Sequence, residues 1–256
     1  MKAICLFFAV LFFTASSYAQ VISANGDTIN KTDAKGLKQG YWEEKINGFQ
    51  TKGFYIDDKK DGSWVTYSSK NVISKVETYK LGKKNGITVN IDDNGYYKGE
   101  SYYVNDLLNG MTRTYSVGAR ILTEINYKNG LINGTKKSYY EAGKLQEDAH
   151  YKNGLRDSIT KWYKSNGVIM AEYFYENGVF NGINKTYSDT GNVIKEETYS
   201  DNILDGAYKE FFDFKESKVK IIGAYKNGMK DGIWTEYDEG GYIIKETALK
   251  KGEEKK

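Results

Sequence analysis

The chain has 256 residues, 27 of them glycine and none of them proline, and its 23 tyrosines outnumber its 11 phenylalanines. The net charge is only +3, which argues against general nucleic-acid binding, because that requires a strong positive excess. The single cysteine, Cys5, lies in a predicted leader, and the single histidine is His150. A mature chain without cysteine has no disulfide, thiol nucleophile or cysteine-ligated metal. One histidine argues against a histidine-based metal site, and no phosphate-loop or metal motif occurs, so we expect no metal and no cofactor.

The first predicted element is a secretory signal peptide over residues 1–19. Lys2 provides the positive start, residues 3–13 form an apolar run, and Ser17 and Ala19 are small residues at the −3 and −1 cleavage positions. The run is too short to span a bilayer, which takes about 20 residues. We expect cleavage between Ala19 and Gln20 and an exported protein that is periplasmic, envelope-bound or secreted. An uncleaved anchor or a buried first strand is the alternative.

An internal repeat of 24 residues dominates the rest of the chain. Its anchor is a glycine that follows Asn or Asp, at Gly62, Gly86, Gly110, Gly134, Gly182, Gly206 and Gly232, while Gly40 and Ser158 fill the two remaining slots. Successive anchors are 24 residues apart, except for a first interval of 22 and a last interval of 26. Such a series indicates a tandem array.

Other positions keep the same frame. Five residues after the anchor, most repeats have tyrosine, at Tyr67, Tyr115, Tyr139, Tyr163, Tyr187 and Tyr237. Eleven after it come Ile73, Tyr97, Ile121, Leu145, Ile169, Val193 and Ile243, and seventeen after it come Tyr79, Tyr103, Tyr127, Tyr151, Tyr175 and Tyr199. The slot four before the anchor holds only Gly, Asn or Asp, the residues that most readily accept a left-handed backbone. This slot therefore predicts a turn with positive φ.

The segments between turns are rich in Tyr, Thr, Ile, Val and Trp, which suit β-strands. Each repeat therefore predicts one hairpin, and 24 residues are too few for a propeller blade of about 40. We predict an all-β fold, an elongated open single-layer antiparallel meander of about nine hairpins. The predicted divisions are the signal peptide, a lead-in over 20–35, a repeat domain over 36–252 and a charged tail over 253–256.

The hairpin register has two alternatives. A three-residue loop ending in Gly143 would pair the tyrosines at slot five with the aliphatic residues at slot eleven, and would place the tyrosines at slot seventeen on the same face. A two-residue loop would instead pair Lys137 with Asp148 and Lys161 with Glu172. We favour the first alternative, because a one-residue slip would scatter the apolar residues over both faces.

The repeats resemble the MORN repeat family in its bacterial variant form. The resemblance rests on an aromatic residue, Asn-Gly and a second Gly, as in the segments 127–134, 175–182 and 225–232, and on the Gly-x-Trp steps at 40–42, 62–64 and 232–234. It covers about residues 33–252, with Ser158 and the irregular lengths around Gly62 and Phe214 as departures. It implies a β-hairpin array that binds proteins or acidic lipids without catalysis. Some bacterial members are labelled antitoxins or immunity proteins, which implies a protein partner.

The candidate binding face combines two columns of the repeat. One is basic, at Arg113, Lys137, Lys161 and Lys185, and the other is aromatic, at Tyr115, Tyr139, Tyr163 and Tyr187. The basic column either meets an acidic partner or forms a solubilising edge of the tyrosine face. The acids at slot fourteen, which include Asp148 and Glu172, form a column that predicts ion pairs or a solvated face. His150 has no repeated partner, so we interpret it as an exposed strand residue.

These residues lead to a functional hypothesis with an alternative from another class. The hypothesis is a non-catalytic exported scaffold that binds a protein partner through the aromatic face, in an antitoxin- or immunity-like role. The alternative is a module that binds carbohydrate or anionic lipid headgroups with the same face. We expect no enzymatic activity and no nucleic-acid partner.

Overall fold

The computed structural model describes residues 21–22, 28–214 and 216–254, and only the backbone of the first pair. The predicted signal peptide and its cleavage site at Ala19 and Gln20 lie outside the described residues. The chain divides into two compact units. Unit 1 comprises the described residues up to Arg120 together with Lys128–Gly130, and unit 2 comprises Ile121–Tyr127 and the described residues from Leu131 onward.

Both units consist of β-strands, and the described residues contain no helix. Unit 1 contains β1 (Val21–Ile22), β2 (Thr28–Ile29), β3 (Lys31–Thr32), β4 (Lys38–Ile46), β5 (Phe49–Ile56), β6 (Lys59–Tyr67), β7 (Ile73–Lys80), β8 (Lys83–Ile91), β9 (Tyr97–Val104), β10 (Leu107–Leu108) and β11 (Gly110–Tyr115). Unit 2 contains β12 (Ile121–Lys128, without its last residue), β13 (Leu131–Tyr139), β14 (Leu145–Lys152), β15 (Leu155–Arg156), β16 (Ser158–Tyr163), β17 (Ile169–Glu176), β18 (Val179–Phe180), β19 (Gly182–Tyr187), β20 (Val193–Ser200), β21 (Ile203–Phe211), β22 (Val219–Lys226), β23 (Met229–Tyr237), β24 (Ile243–Lys250) and β25 (Glu253–Glu254).

Within each unit, strands that follow one another in the chain pair side by side and antiparallel. In unit 1 the pairing runs from β4 through β9 to β11. In unit 2 it runs from β13 to β25. The two-residue strand β15 pairs with β14, which also pairs with β16, and the two-residue strand β18 pairs with β17, which also pairs with β19. The predicted all-β meander of antiparallel hairpins is confirmed.

The slot four before the anchor forms the turns that join one repeat to the next. All nine of its residues have φ between 62° and 88°, as the sequence predicts. Most are preceded by a residue that also has positive φ, as in Asn153-Gly154, which identifies two-residue type I′ turns. The amide of Gly154 donates a 2.8 Å hydrogen bond to the carbonyl of Ile132 in the preceding repeat. Each such turn therefore forms a backbone hydrogen bond between two neighbouring repeats.

The anchor itself occupies a bulge that the sequence analysis did not predict. Anchor residues have φ between 70° and 125°, and this includes Ser158 at 70°. At Gly206, residues 205–207 together oppose the single residue Thr198. A Cβ on Gly206 would stand 2.9 Å from Cγ2 of Thr198, so both the backbone angle and the close approach favour glycine.

A second bulge shows that both register alternatives are correct in part. The loop of the hairpin β13–β14 has three residues and ends in Gly143, and Tyr139 pairs with Leu145. The register then shifts by one residue at Gln146, so that Lys137 pairs with Asp148. The same shift occurs in the hairpins β16–β17 and β19–β20. The apolar pairs and the ion pairs thus occur in the same hairpin.

This bulge corrects the predicted distribution of the tyrosines. Directly paired residues share a face, so slots three, five, eleven and fourteen lie on one face, and slots two and seventeen lie on the other. The tyrosines at slot five and slot seventeen are therefore on opposite faces, and the expected single apolar face is wrong. The extra residue in the second strand reverses the alternation of side chains between slots eleven and fourteen.

The face that carries slots two and seventeen, here called the packed face, contains the largest buried rings. In unit 1, Trp64 is 1% exposed and packs against Tyr55, with ring centroids 4.8 Å apart. In unit 2, Tyr208, Tyr225 and Trp234 form a cluster with centroids 5.2–5.4 Å apart. Aromatic pairs at such distances contribute about 0.5–1.5 kcal/mol beyond the area that they bury.

Candidate functional site

The opposite face of unit 2, here called the ladder face, carries a row of charges that alternate in sign from strand to strand. Each member pairs in register with the next, in the order Lys137, Asp148, Lys161, Glu172, Lys185, Glu196 and Lys209. The row arises because a lysine at slot three always pairs with an acid at slot fourteen. The basic and acidic columns predicted separately are therefore one continuous charge row.

The basic residues of the predicted site all form ion pairs. Nζ of Lys161 lies 2.8 Å from Oε1 of Glu172, and Nζ of Lys185 lies 3.1 Å from Oε1 of Glu196. Lys137 lies 3.7 Å from Asp148, and in unit 1 Arg113 lies 3.1 Å from Glu100. These side chains are about 35–41% exposed, so the pairs remain partly hydrated. The basic column is not an uncompensated positive surface.

The tyrosines of the predicted site are half-buried, and the three in unit 2, Tyr139, Tyr163 and Tyr187, lie on the same face as the charge row. The hydroxyl of Tyr139 donates to Oε2 of Glu124 at 3.0 Å, and that of Tyr187 donates to Oε2 of Glu172 at 2.9 Å. Burial and then this hydrogen bond raise the pKa of Tyr187 well above the usual range. In unit 1, Tyr115 packs edge-on against Tyr97 with centroids 5.1 Å apart. The structure therefore places Tyr139 and Tyr187 against acids of the same face.

The ladder face also carries an exposed apolar groove that the sequence analysis missed. Ile159 is 44% exposed, Phe174 37% and Ile183 54%. Ile159 pairs directly with Phe174, and the Phe174 ring lies over Gly182, where a Cβ would meet ring atom Cδ1 at 3.2 Å. These residues and the side chains of Glu172 and Lys185 enclose about 330 Å³. The sequence signal that could have identified this groove is the slot directly after the anchor, which holds Ile159 and Ile183.

Three consecutive segments of the chain match a known family model. The model is described as MORN repeat variant, and the matched residues are 132–153, 156–178 and 180–201. Each segment contains one hairpin of unit 2, namely β13–β14, β16–β17 and β19–β20. These three segments are MORN repeats. A comparison with curated proteins finds no match.

The three MORN repeats contain the charge row from Lys137 to Glu196 and the whole apolar groove. MORN repeats generally serve as non-catalytic scaffolds. The resemblance inferred from the sequence is confirmed at these repeats, which form a MORN-repeat β-sheet scaffold with exposed aromatic residues such as Phe174.

The packed face of the MORN repeats has its rings covered by cations from the same chain. The guanidinium of Arg156 lies 5.3–5.5 Å from the ring centroids of Tyr151, Trp162 and Tyr175. Arg156 also pairs with Glu147, which is 6% exposed and lies 2.9 Å from Nζ of Lys136. Burial raises the pKa of Glu147, but the hydrogen bonds from Arg156 and Lys136 outweigh burial and hold it below the usual range. These rings therefore contribute mainly to packing within the chain and not to ligand binding.

The single histidine of the sequence lies on the ladder face, two residues along β14 from Asp148 of the charge row. His150 is exposed on β14 opposite Thr135, as the sequence interpretation expected. Among the described residues, no three His, Cys, Asp or Glu side chains are grouped so that they could hold a metal ion. In that same part of the chain, no helix has the length and hydrophobicity to span a membrane.

Proposed function

We propose that the chain is an exported, non-catalytic scaffold that binds a protein partner through the ladder face of unit 2. The observation that carries this proposal is the exposed group of Ile159, Phe174 and Ile183 beside the charge row and the candidate tyrosines. Exposed apolar side chains rimmed by polar ones are typical of protein interaction sites. The resemblance to a repeat family in which some bacterial members are labelled antitoxins or immunity proteins supports the same class of partner.

The competing class of ligand is a carbohydrate or an anionic lipid headgroup. The ion pairs of the basic column weaken the headgroup alternative, because each lysine of the candidate face already has a carboxylate within 4 Å. A headgroup would have to compete with those acids, and attraction at partly hydrated sites is small. We therefore favour a protein partner.

Site-specific photo-crosslinking tests the choice of partner and of face. Lys185 and Lys195 have side chains that are 37% and 36% exposed, but they lie on the ladder face and the packed face respectively. A photoreactive residue at position 185 should capture a defined envelope protein in intact cells, and the same residue at position 195 should capture much less. Equal capture at both positions, or capture of lipid or glycan alone, would contradict the proposal.

Export is the second part of the proposal and has its own test. The apolar run of residues 3–13 and the small residues before Gln20 support removal of residues 1–19. Mass spectrometry of the protein from the cell envelope should give a chain that starts at Gln20. A chain that retains residues 1–19 would show that the leader is not cleaved.

A further inference from the structure

The hairpin β21–β22 has a longer loop than the MORN repeats that precede it. Phe211 pairs with Val219, so residues 212–218 lie between the last paired positions. In the hairpin β13–β14 only residues 140–144 lie between them. The two additional residues account for the last anchor interval of 26. This loop is therefore a feature that the regular repeats do not share.

The preceding hairpin holds this loop in place. Oδ1 of Asp213 accepts hydrogen bonds from Oγ1 of Thr190 and from Nδ2 of Asn192, both at 2.8 Å. Within the loop, the rings of Phe212 and Phe214 are stacked with centroids 5.8 Å apart. These contacts restrain the position of Phe212, so the loop supplies a preformed wall beside the strands.

A cavity of about 460 Å³ lies between the loop and the neighbouring strands. Its lining includes Phe212, Lys220 and three residues on β19, β20 and β21, namely Thr186, Lys195 and Glu210. These three pair directly from strand to strand, so they share one face, the packed face. The volume falls within the range of about 300–1,000 Å³ that is typical of small-molecule sites. The cavity therefore has the size of a ligand site and lies on the face opposite the charge row.

The charged groups of the cavity balance one another. Its lining contains two cations, Lys195 and Lys220, and two acids, Glu210 and Asp213. Lys195 is engaged within the chain by Glu197 at 3.2 Å, and Asp213 is engaged by the preceding hairpin, which leaves one cation and one acid. A charged ligand would meet no excess of the opposite sign, and an apolar ligand would remove these charges from water without a partner. The balance therefore favours a neutral polar ligand.

The remaining cation and acid keep hydrogen-bonding capacity towards such a ligand. In the described part of the chain, Nζ of Lys220 has no carboxylate within 4 Å, and it lies 5.9 Å from the centroid of the Phe212 ring. A lysine ammonium has three N–H donors. Glu210 accepts from the neutral hydroxyl of Tyr208 and keeps further lone pairs for a second donor. The cavity thus offers donors, acceptors and an aromatic ring together.

A carbohydrate has the features that match this combination. Each sugar hydroxyl both donates and accepts a hydrogen bond, and C–H groups polarised by neighbouring oxygens pack against the negative face of an aromatic ring. We propose that this cavity binds a neutral carbohydrate whose C–H groups contact Phe212 and whose hydroxyls bind Lys220 and Glu210. The inference goes beyond the proposed function, because the cavity lies on the packed face and the protein-binding surface is the ladder face.

An array of immobilised neutral, sialylated and sulfated glycans tests this inference with the mature chain. Neutral glycans should be retained, and titration with the free form of a retained glycan measures its affinity. Phe212→Ala should lower that affinity about tenfold or more. Phe214→Ala is the matched control, because Phe214 stacks on Phe212 but lies outside the cavity lining. It should leave the affinity nearly unchanged, and unfolding midpoints should show that both variants remain folded.

A pair of lysines provides a second test that leaves the aromatic stack intact. Lys220→Met should lower the affinity about tenfold, because it removes a charged donor to the ligand. Lys218→Met is its control, because Nζ of Lys218 instead donates to the carbonyl of Glu239 at 3.2 Å and lies over the Phe214 ring. This control should bind the glycan like the native chain.

Three results would overturn the inference. They are retention of no glycan, retention of charged glycans alone, and binding that neither Phe212→Ala nor Lys220→Met weakens. Protein capture by crosslinking at position 185 in any of these cases would leave the proposed function standing. Glycan binding that Phe212→Ala abolishes, without protein capture at position 185, would instead support the cavity and contradict the proposed function.

Discussion

Gly53 lies directly against the indole of Trp64 on the neighbouring strand. A Cβ at position 53 would stand 2.3 Å from ring atom Cδ2, and Trp64 is 1% exposed. Gly223 and Trp234 repeat the relationship in unit 2, also at 2.3 Å. Ala149 and Thr160 occupy the same two repeat slots as Gly53 and Trp64, and both are 0% exposed. The smaller threonine in place of the indole is thus accompanied by alanine in place of glycine. In these three pairs a large or medium side chain is matched by a small one on the neighbouring strand of the packed face.

This match predicts strong coupling between positions 53 and 64. Gly53→Ala should destabilise the chain by about 1–3 kcal/mol, because the added methyl displaces a ring that cannot move outward without exposure. In a Trp64→Thr background the same change should cost little, since that pair is the one found at Ala149 and Thr160. Denaturant unfolding of the two single variants and the double variant measures the coupling. Equal costs of Gly53→Ala in both backgrounds would show that the contact is not limiting.

The type I′ turn at Asn129-Gly130 provides a test of the repeat frame. Gly130 has φ of 82°, and the equivalent slot holds Asn202 and Asp106 with φ of 67° and 70°. Gly130→Val should cost about 1–3 kcal/mol, because a β-branched residue resists positive φ. Gly130→Asn should cost much less, and Lys128→Val, on an exposed residue of the same turn, serves as the surface control. Similar effects of the Val and Asn variants would rule out strain at this φ as the cause.

The buried ion pairs of Glu147 predict an acid-sensitive part of the stability. Because its folded pKa lies below the unfolded value, Glu147 stabilises the fold fully above the unfolded pKa and loses this contribution as pH falls through the lower, folded pKa. Glu147→Gln should lower stability at neutral pH by about 1–3 kcal/mol and flatten the acid limb of the stability curve. Thermal unfolding at a series of pH values from about 3 to about 7, a range that includes the usual carboxyl pKa, measures this pH-dependent stability. The exposed Glu239→Gln should leave the curve unchanged, and an unaltered acid limb in Glu147→Gln would refute the assignment.

The hydrogen bond from Tyr187 to Glu172 predicts a modest structural role for a candidate binding residue. Tyr187→Phe keeps the ring but removes the donor, and should cost about 0.5–1.5 kcal/mol. Tyr242→Phe is the control, because Tyr242 is 76% exposed. Unfolding of both variants by denaturant measures the difference. If Tyr187→Phe is as stable as the native chain, its hydroxyl is available to a partner instead.

Much of the fold follows from residue types at fixed spacing. The slot that holds only Gly, Asn or Asp predicted a positive φ at nine turns, and the structure has it at all nine. The alternation of strands and turns predicted the antiparallel hairpins. Both features are local, since a backbone angle or a two-residue turn depends on a few neighbouring residues, and the sequence states those residues directly.

The candidate site was predicted only in part. The residues of the charge row were all identified as two columns, but the sequence did not show that Lys161 lies between Asp148 and Glu172 on neighbouring strands. The groove residues Ile159, Phe174 and Ile183 were missed, because their exposure depends on which face they occupy. The face that a side chain occupies depends on how many residues separate it from the hairpin loop, and one extra residue at a bulge reverses that face.

By itself, the sequence determined the repeat, the turns, the hairpin meander and the identity of the charged and aromatic columns. The tertiary structure alone decided the register, because one extra residue at each second-strand bulge reverses the faces and cannot be read from a period of 24. It also decided which rings are buried, since Trp64 fits only over a glycine on the next strand. Cross-strand packing depends on pairs of residues that are distant in the chain, and local pattern does not specify those pairs.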